Sequence, residues 1–154
     1  MKKFIFAIMA VAAFGCVALT SCSKDDDKNT TTTNNGGGEN GSYVTNYSLG
    51  ENGNTMVCRW TEVYVQGGSS ISVNYMLEAL FENNLCVSLV STITFPNPTM
   101  ASEYYNDIIN DPDENADRFT YVQGSASVVE DLTDDFGGWT KDQIRNFFES
   151  MEQK

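Results

Sequence analysis

The 154-residue chain contains no histidine. That excludes Ser-His-Asp and Cys-His nucleophilic catalysis, together with every metal site that relies on imidazole; carboxylate-, lysine- or tyrosine-based chemistry stays open. Basic side chains are scarce as well, nine Lys and Arg against 21 Asp and Glu, for a net charge of −12. Nucleic acid is disfavoured as a partner, because phosphate binding depends on Lys and Arg displacing counterions. An anionic membrane surface repels such a chain too, so cationic partners or divalent ions are the ones that overall charge permits. Nor is there an apolar run able to span a bilayer: Phe4–Leu19 has 16 residues, interrupted by Gly15, short of the ~20 a spanning helix needs.

What is there begins with a leader. Lys2 and Lys3 precede the apolar run, and Thr20-Ser21 lead into Cys22, the order of basic, apolar and small residues that marks a cleaved secretory signal over residues 1–21. Leu19-Thr20-Ser21-Cys22 resembles the bacterial lipobox, and Ser23-Lys24-Asp25-Asp26-Asp27 resembles the acidic export signal of Bacteroidota-type surface lipoproteins. The resemblance implies cleavage before Cys22, a covalent lipid on its thiol as the only attached group, and an outer-membrane location, displayed on the cell surface or facing the periplasm. A simple cleaved signal that happens to end near a cysteine is the plain alternative. One acyl chain holds a protein only marginally, so the several chains implied by the family are what give firm attachment. Cleavage there removes two lysines and no acid, taking the charge to −14.

From Ser23 to Ser42 the chain reads SKDDDKNTTTTNNGGGENGS, with no apolar residue to seed a core. Residues 22–42 are therefore expected to be the lipidated cysteine and a flexible tether, about 25 Å end to end. Residues 43–154 are left as one domain with a modest core.

That domain carries a clear period-two pattern. Ile71, Val73, Tyr75, Leu77, Ala79 and Phe81 alternate with Ser72, Asn74, Met76, Glu78 and Leu80, and Leu85, Val87, Leu89, Ile93 and Phe95 continue on odd positions beyond Glu82-Asn83-Asn84. The spacing predicts a hairpin with Phe81 opposite Leu85, Ala79 opposite Val87 and Leu77 opposite Leu89. Met56, Cys58, Trp60 and Tyr64 suggest a preceding strand, with Glu62 intruding on its apolar face and Gly67-Gly68 in the turn after it; Tyr43–Leu49 adds a short edge strand at most.

A helix is expected after Asn97-Pro98, a cap followed by a first-turn proline, with Ala101, Tyr104, Tyr105, Ile108 and Ile109 as its apolar stripe. A second hairpin pairs Arg118–Gln123 with Ala126–Leu132 about Gly124-Ser125, setting Tyr121 opposite Val128. Thr140 and Gln143 then form a capping box for a last helix whose stripe is Ile144, Phe147, Phe148 and Met151. The expected fold class is α+β: a two-layer sandwich of an antiparallel sheet with two helices on one face, in the order β-β-β-α-β-β-α. This layout, with Gly138-Trp139-Thr140-Lys141 before the last helix, resembles small lipoproteins of the same bacterial group, a resemblance that implies fold and location but no activity.

Three places hold candidate chemistry. Cys58 and Cys86 are the cysteines beyond the anchor; the expected registers put them on opposite faces with a strand between, about 10 Å apart and beyond disulfide reach, so unpaired thiols are expected. Asp111, Asp113, Asn115 and Asp117 place oxygens at every second position like the start of an EF-hand loop, but Ala116 and Val122 stand where the glycine and the bidentate glutamate belong. A metal is therefore not expected, weak calcium binding being the alternative. Glu130, Asp131, Asp134 and Asp135 cluster in sequence, and paired carboxylates can cleave glycosides when suitably separated in a cleft. Trp60 and Trp139 are expected to pack in the core or staple a helix rather than stack on a ligand.

No catalytic set emerges. The leading expectation is a non-enzymatic binding or protein-interaction module, tethered to the membrane through its N-terminal lipid. Its ligand or partner, an envelope or extracellular protein, is unidentified, and Met76, Leu80 and Val90 on the otherwise polar sheet face are its candidate contacts. The alternatives are an inhibitor or immunity-type protein that plugs an enzyme with acidic loops, and a small carboxylate-dependent hydrolase.

Overall fold

A computed structural model describes residues 40–153 of the chain. The leader, Cys22 and the tether up to residue 39 lie outside the described residues. Six strands form one antiparallel sheet: β1 (Asn40–Asn52), β2 (Thr55–Gln66), β3 (Ser69–Glu82), β4 (Leu85–Thr94), β5 (Phe119–Tyr121) and β6 (Ser127–Asp131), in the spatial order β1-β2-β3-β4-β6-β5. The helices are α1 (Pro98–Asn110), α2 (Thr133–Phe136) and α3 (Lys141–Glu149), with 3-10 turns at Ala116–Arg118 and Ser150–Gln153. The fold is α+β, but the element order is longer than the sequence suggests, with a full first strand and a short extra helix.

β1 is the first correction. It runs 13 residues rather than a short stretch, takes in Asn40–Ser42 that the sequence assigns to the tether, and pairs with β2 along its length. Its Gly, Asn and Ser content hides it from a hydrophobic pattern. Between Thr45 and Ser48 the register shifts, and Asn46 adopts a φ of 55°, a left-handed conformation that asparagine tolerates better than most residues. This bulge puts the Asn46 amide beside Thr61 on one face while the Tyr47 hydroxyl donates to the Phe148 carbonyl at 3.2 Å.

The β3–β4 hairpin is the second correction. Asn83 and Asn84 form a two-residue turn with φ of 49° and 66°, so Glu82 pairs with Leu85 and Phe81 with Cys86. A bulge at Val87 then moves the pairing on, giving Leu80–Ser88, Ala79–Leu89, Leu77–Ser91 and Tyr75–Ile93. Every expected partner in this hairpin is therefore displaced. Leu85 and Val87, expected in the core, are exposed, and Cys86 takes the buried position between them. The second hairpin keeps its expected register, Tyr121 opposite Val128, on shorter strands.

One set of alternating side chains is buried throughout: Met56, Cys58 and Trp60 in β2, then Val73 to Phe81 in β3, then Leu89 and Ile93 in β4, with Val128 in β6. The helix contacts fall on this set. Phe95 packs on Tyr104 of α1 at 5.1 Å between ring centres, Cys58 and Tyr47 meet Phe148 of α3, and Lys141 lies over the Phe81 ring. Asn97 caps α1 by accepting from Met100 N–H, and Thr140 with Gln143 closes the capping box on α3, which satisfies backbone donors that the first turn leaves unpaired. In α1, Ala101, Tyr104 and Ile108 are buried, whereas Ile109 is exposed.

After α2 the chain pairs again with the start of β4. Cys86 N–H donates to Trp139 O at 2.7 Å and Gly138 N–H to Cys86 O at 2.9 Å, while Trp139 packs edge-on against Phe136, 4.9 Å away. Glu51 ties β1 to α3 through ion pairs with Lys141 and Arg145.

Candidate functional site

The side chains on the opposite face of the sheet follow from the same registers. Ser48, Arg59, Met76, Thr92 and Val129 lie in one cross-strand row, and Thr61, Asn74, Thr94 and Ser127 in the next. Bulging of β1 adds Asn46 to the second row, and the members of these rows on β1 to β4 line an open depression of about 410 Å³. Asn46 Nδ2 donates to Thr61 Oγ1 at 3.4 Å, and Thr61 Oγ1 donates to Asn74 Oδ1 at 2.9 Å. The hydroxyls of Thr94 and Ser127 lie 2.8 Å apart. Three strands thus contribute to one hydrogen-bonded chain that holds the Asn74 amide by its oxygen.

Arg59 stands in this depression. Among the described residues, Arg118 pairs with Asp135 and Glu130, while Lys141 and Arg145 pair with Glu51. Arg59 is the described cation with no ion pair, and it is exposed. Sequence reasoning missed it. The signal was present, since Arg59 is the sole basic residue between Lys28 and Arg118, but a lone arginine on a polar strand face reads as ordinary surface until the register places neutral polar side chains around it.

Met76, Leu80 and Val90 do share this face, yet they form no continuous apolar patch. Glu78 lies between Met76 and Leu80 along β3 and directly opposite Val90. Leu80 is 43% exposed, whereas Met76 and Val90 are half-buried among their strand neighbours.

The acids that cluster in sequence divide, Glu130 and Asp135 meeting on Arg118 and Asp131 lying apart from them. Glu130 falls on the buried set at 8% exposure, while its strand neighbour Asp131 faces the other way and accepts from Thr133 N–H at 2.9 Å. Arg118 holds Asp135 at 2.7 Å and reaches Glu130 at 3.6 Å. Burial pushes the Glu130 carboxyl up to about 7, with Arg118 opposing the shift. The Asp131 carboxyl is held low by its hydrogen bonds from Thr133. Glu62, the intruder on the apolar face of β2, is answered by the Tyr64 hydroxyl, which lies 3.2 Å from that of Tyr75. Tyr75 in turn stacks on Trp60 at 5.0 Å, so Trp60 is a core residue as its pattern predicts.

Both inner cysteines are free and buried. The reason differs from the expected one. They share a face, but Cys58 pairs with Leu77 and Cys86 with Phe81, which separates them by about 13 Å along β3 as well as by two strand spacings of about 4.8 Å. Burial raises the Cys58 thiol to about 11 and the Cys86 thiol in the same direction, so neither supplies a thiolate near neutrality.

In the 111–117 loop the Asp111 carboxylate accepts from Asp113 N–H at 2.9 Å, and Asn115 O accepts from Arg118 N–H. Among the described residues no three His, Cys, Asp or Glu side chains converge as a metal-ligand group, so Asp111, Asp113 and Asp117 are not brought together in one. Comparison with protein-family models, with curated proteins and with solved structures gives no significant match to this chain.

Proposed function

We propose that this chain is a membrane-anchored extracytoplasmic lipoprotein that serves as a non-enzymatic binding or interaction module. In this reading the helices form a second layer over the buried side of the sheet, and the opposite side is offered to a partner. The observation that carries it is the exposed face of β2–β4, where Arg59, Asn74 and Leu80 are solvent-accessible while their strand neighbours Trp60, Tyr75 and Ala79 are buried.

Support for a binding role without turnover comes from the chemistry within reach. The chain has no histidine, its two inner thiols are buried and raised in pKa, and Glu130 and Asp131 point to opposite sides of the sheet. The anchor rests on Leu19-Thr20-Ser21-Cys22 and the acidic run behind it. An acidic plug is the weaker reading, because Asp135 is already engaged by Arg118.

The test is site-specific photo-cross-linking in intact cells, with the reactive side chain at Leu80 or Val90 and, as a control, at Ile109 on α1. Adducts from the first two positions and none from Ile109 are expected. Equal adducts from all three, or none from the sheet face, would refute the reading. Cys22→Ser should release the protein from envelope pellets into the soluble fraction.

A further inference from the structure

We infer that the depression around Arg59 is a binding site for a carboxylate-bearing sugar of the uronate type. This inference deepens the binding role proposed above and rests on it.

Charge is the first argument. Between Asn40 and Gln153 there are 17 acidic side chains and four basic ones. Three of the four are engaged by acids, and the fourth is Arg59. In so acidic a domain, a cation left without an ion pair is an exception that the overall charge does not anticipate. Its nearest acid on the same face is Glu78, diagonally placed on β3, and the two form no ion pair. Among the described residues no carboxylate lines the depression. A guanidinium presents its N–H groups as a planar fork that matches a carboxylate bidentately, so the local preference is for an anion although the whole molecule is negative.

The lining selects which carboxylate. Apart from Arg59, the polar side chains that face a ligand are neutral: Ser48, Thr61, Asn74, Thr92 and Thr94, with Asn46 at the rim. Hydroxyls and amides both donate and accept, which suits the many hydroxyls of a sugar ring. Met76 supplies apolar surface at the floor. The Asn46–Thr61–Asn74 chain holds the Asn74 amide before any ligand arrives, so less ordering is needed on binding. At about 410 Å³ the depression sits toward the lower end of small-ligand sites.

The experiment is calorimetric titration of the full-length chain, purified in detergent, with trimers of galacturonate, glucuronate and mannuronate. The fully methyl-esterified trimers, which keep the rings and lose the charge, are the controls. At least one acid trimer is expected to bind, its ester at least tenfold more weakly. Arg59→Gln should weaken binding by roughly tenfold or more, as expected for loss of a charge-assisted pair, with an unchanged melting temperature. Glu78→Gln should strengthen it about twofold by removing a like charge. Absence of binding by all three acids, equal binding of acid and ester, or an Arg59→Gln variant that binds as well as the parent would overturn the proposal. So would triglutamate binding as tightly as the best uronate, since that outcome assigns the site to acidic peptides. If the Leu80 and Val90 cross-links persist while uronate binding fails, this inference falls and the interaction face stands.

Discussion

Leu77 and Leu80 lie three residues apart on one strand and have opposite fates: Leu77 is 1% exposed on the buried face, and Leu80 is 43% exposed on the far face. The same backbone therefore serves two ends. On the buried side the side chains are packed, and loss of contact there is expensive. On the other side hydrogen bonds between neighbouring strands link Asn46, Thr61 and Asn74, and Thr94 with Ser127. In the reading proposed above, stability and recognition are divided by the period of the strand rather than by separate domains.

The sharpest way to break that division is to compare Phe148→Ala with Leu80→Ser in chemical denaturation. Phe148 is fully buried, and its carbonyl accepts from Tyr47; its truncation should cost about 3–5 kcal/mol. Leu80→Ser should stay within about 0.5 kcal/mol. A large loss at Leu80 would mean that the far face is covered, and the comparison would collapse.

A second test uses pH. Glu130 keeps its proton up to about 7 in the native chain, against an ordinary value of 4.5. The native state thus binds more protons than the unfolded one between those values, and stability falls as pH rises through that window. Glu130→Gln should remove the fall, leaving the variant more stable than the parent at pH 8 by on the order of 3 kcal/mol at most, and little different at pH 4. Thermal melts across pH 4–8 check it, and a parental profile that stays flat would show that Glu130 titrates in the native chain as it does in the unfolded one. The smallest effect is expected at the helix entry, where Thr140→Ala opens the capping box and should lower stability by about 1 kcal/mol.

How far this was legible in sequence follows from the same division. The alternation of Val73 to Phe81 was readable because one side of β3 is covered, and the caps at Asn97 and Thr140 were readable because capping is local chemistry. The register of β3 and β4 was not. It depends on a two-residue turn at Asn83-Asn84 and a bulge at Val87, and the apolar Leu85 and Val87 hide the change of face that the bulge makes between Cys86 and Leu89. β1 was understated because an edge strand rich in Gly and Asn is held by its pairing to β2, not by its own pattern. α2 contributes a single buried residue, Phe136, too little to form a stripe. Arg59 and its polar neighbours come from β1, β2, β3 and β4 at once, so the site exists only after the strands are aligned.

The entry of β1 into the sheet sets a mechanical order. Asn40 starts opposite Gln66, and the first tie from this strand to a helix is Tyr47 on Phe148, just past the bulge, followed by Glu51 on Lys141 and Arg145. Tension arriving from the N-terminal side meets six residues of edge pairing, Asn40–Thr45, before it meets anything rooted beneath the sheet. That stretch is expected to part from β2 before the ties to α3 give way, so the chain end can swing free of the sheet edge while the rest of the fold stays shut.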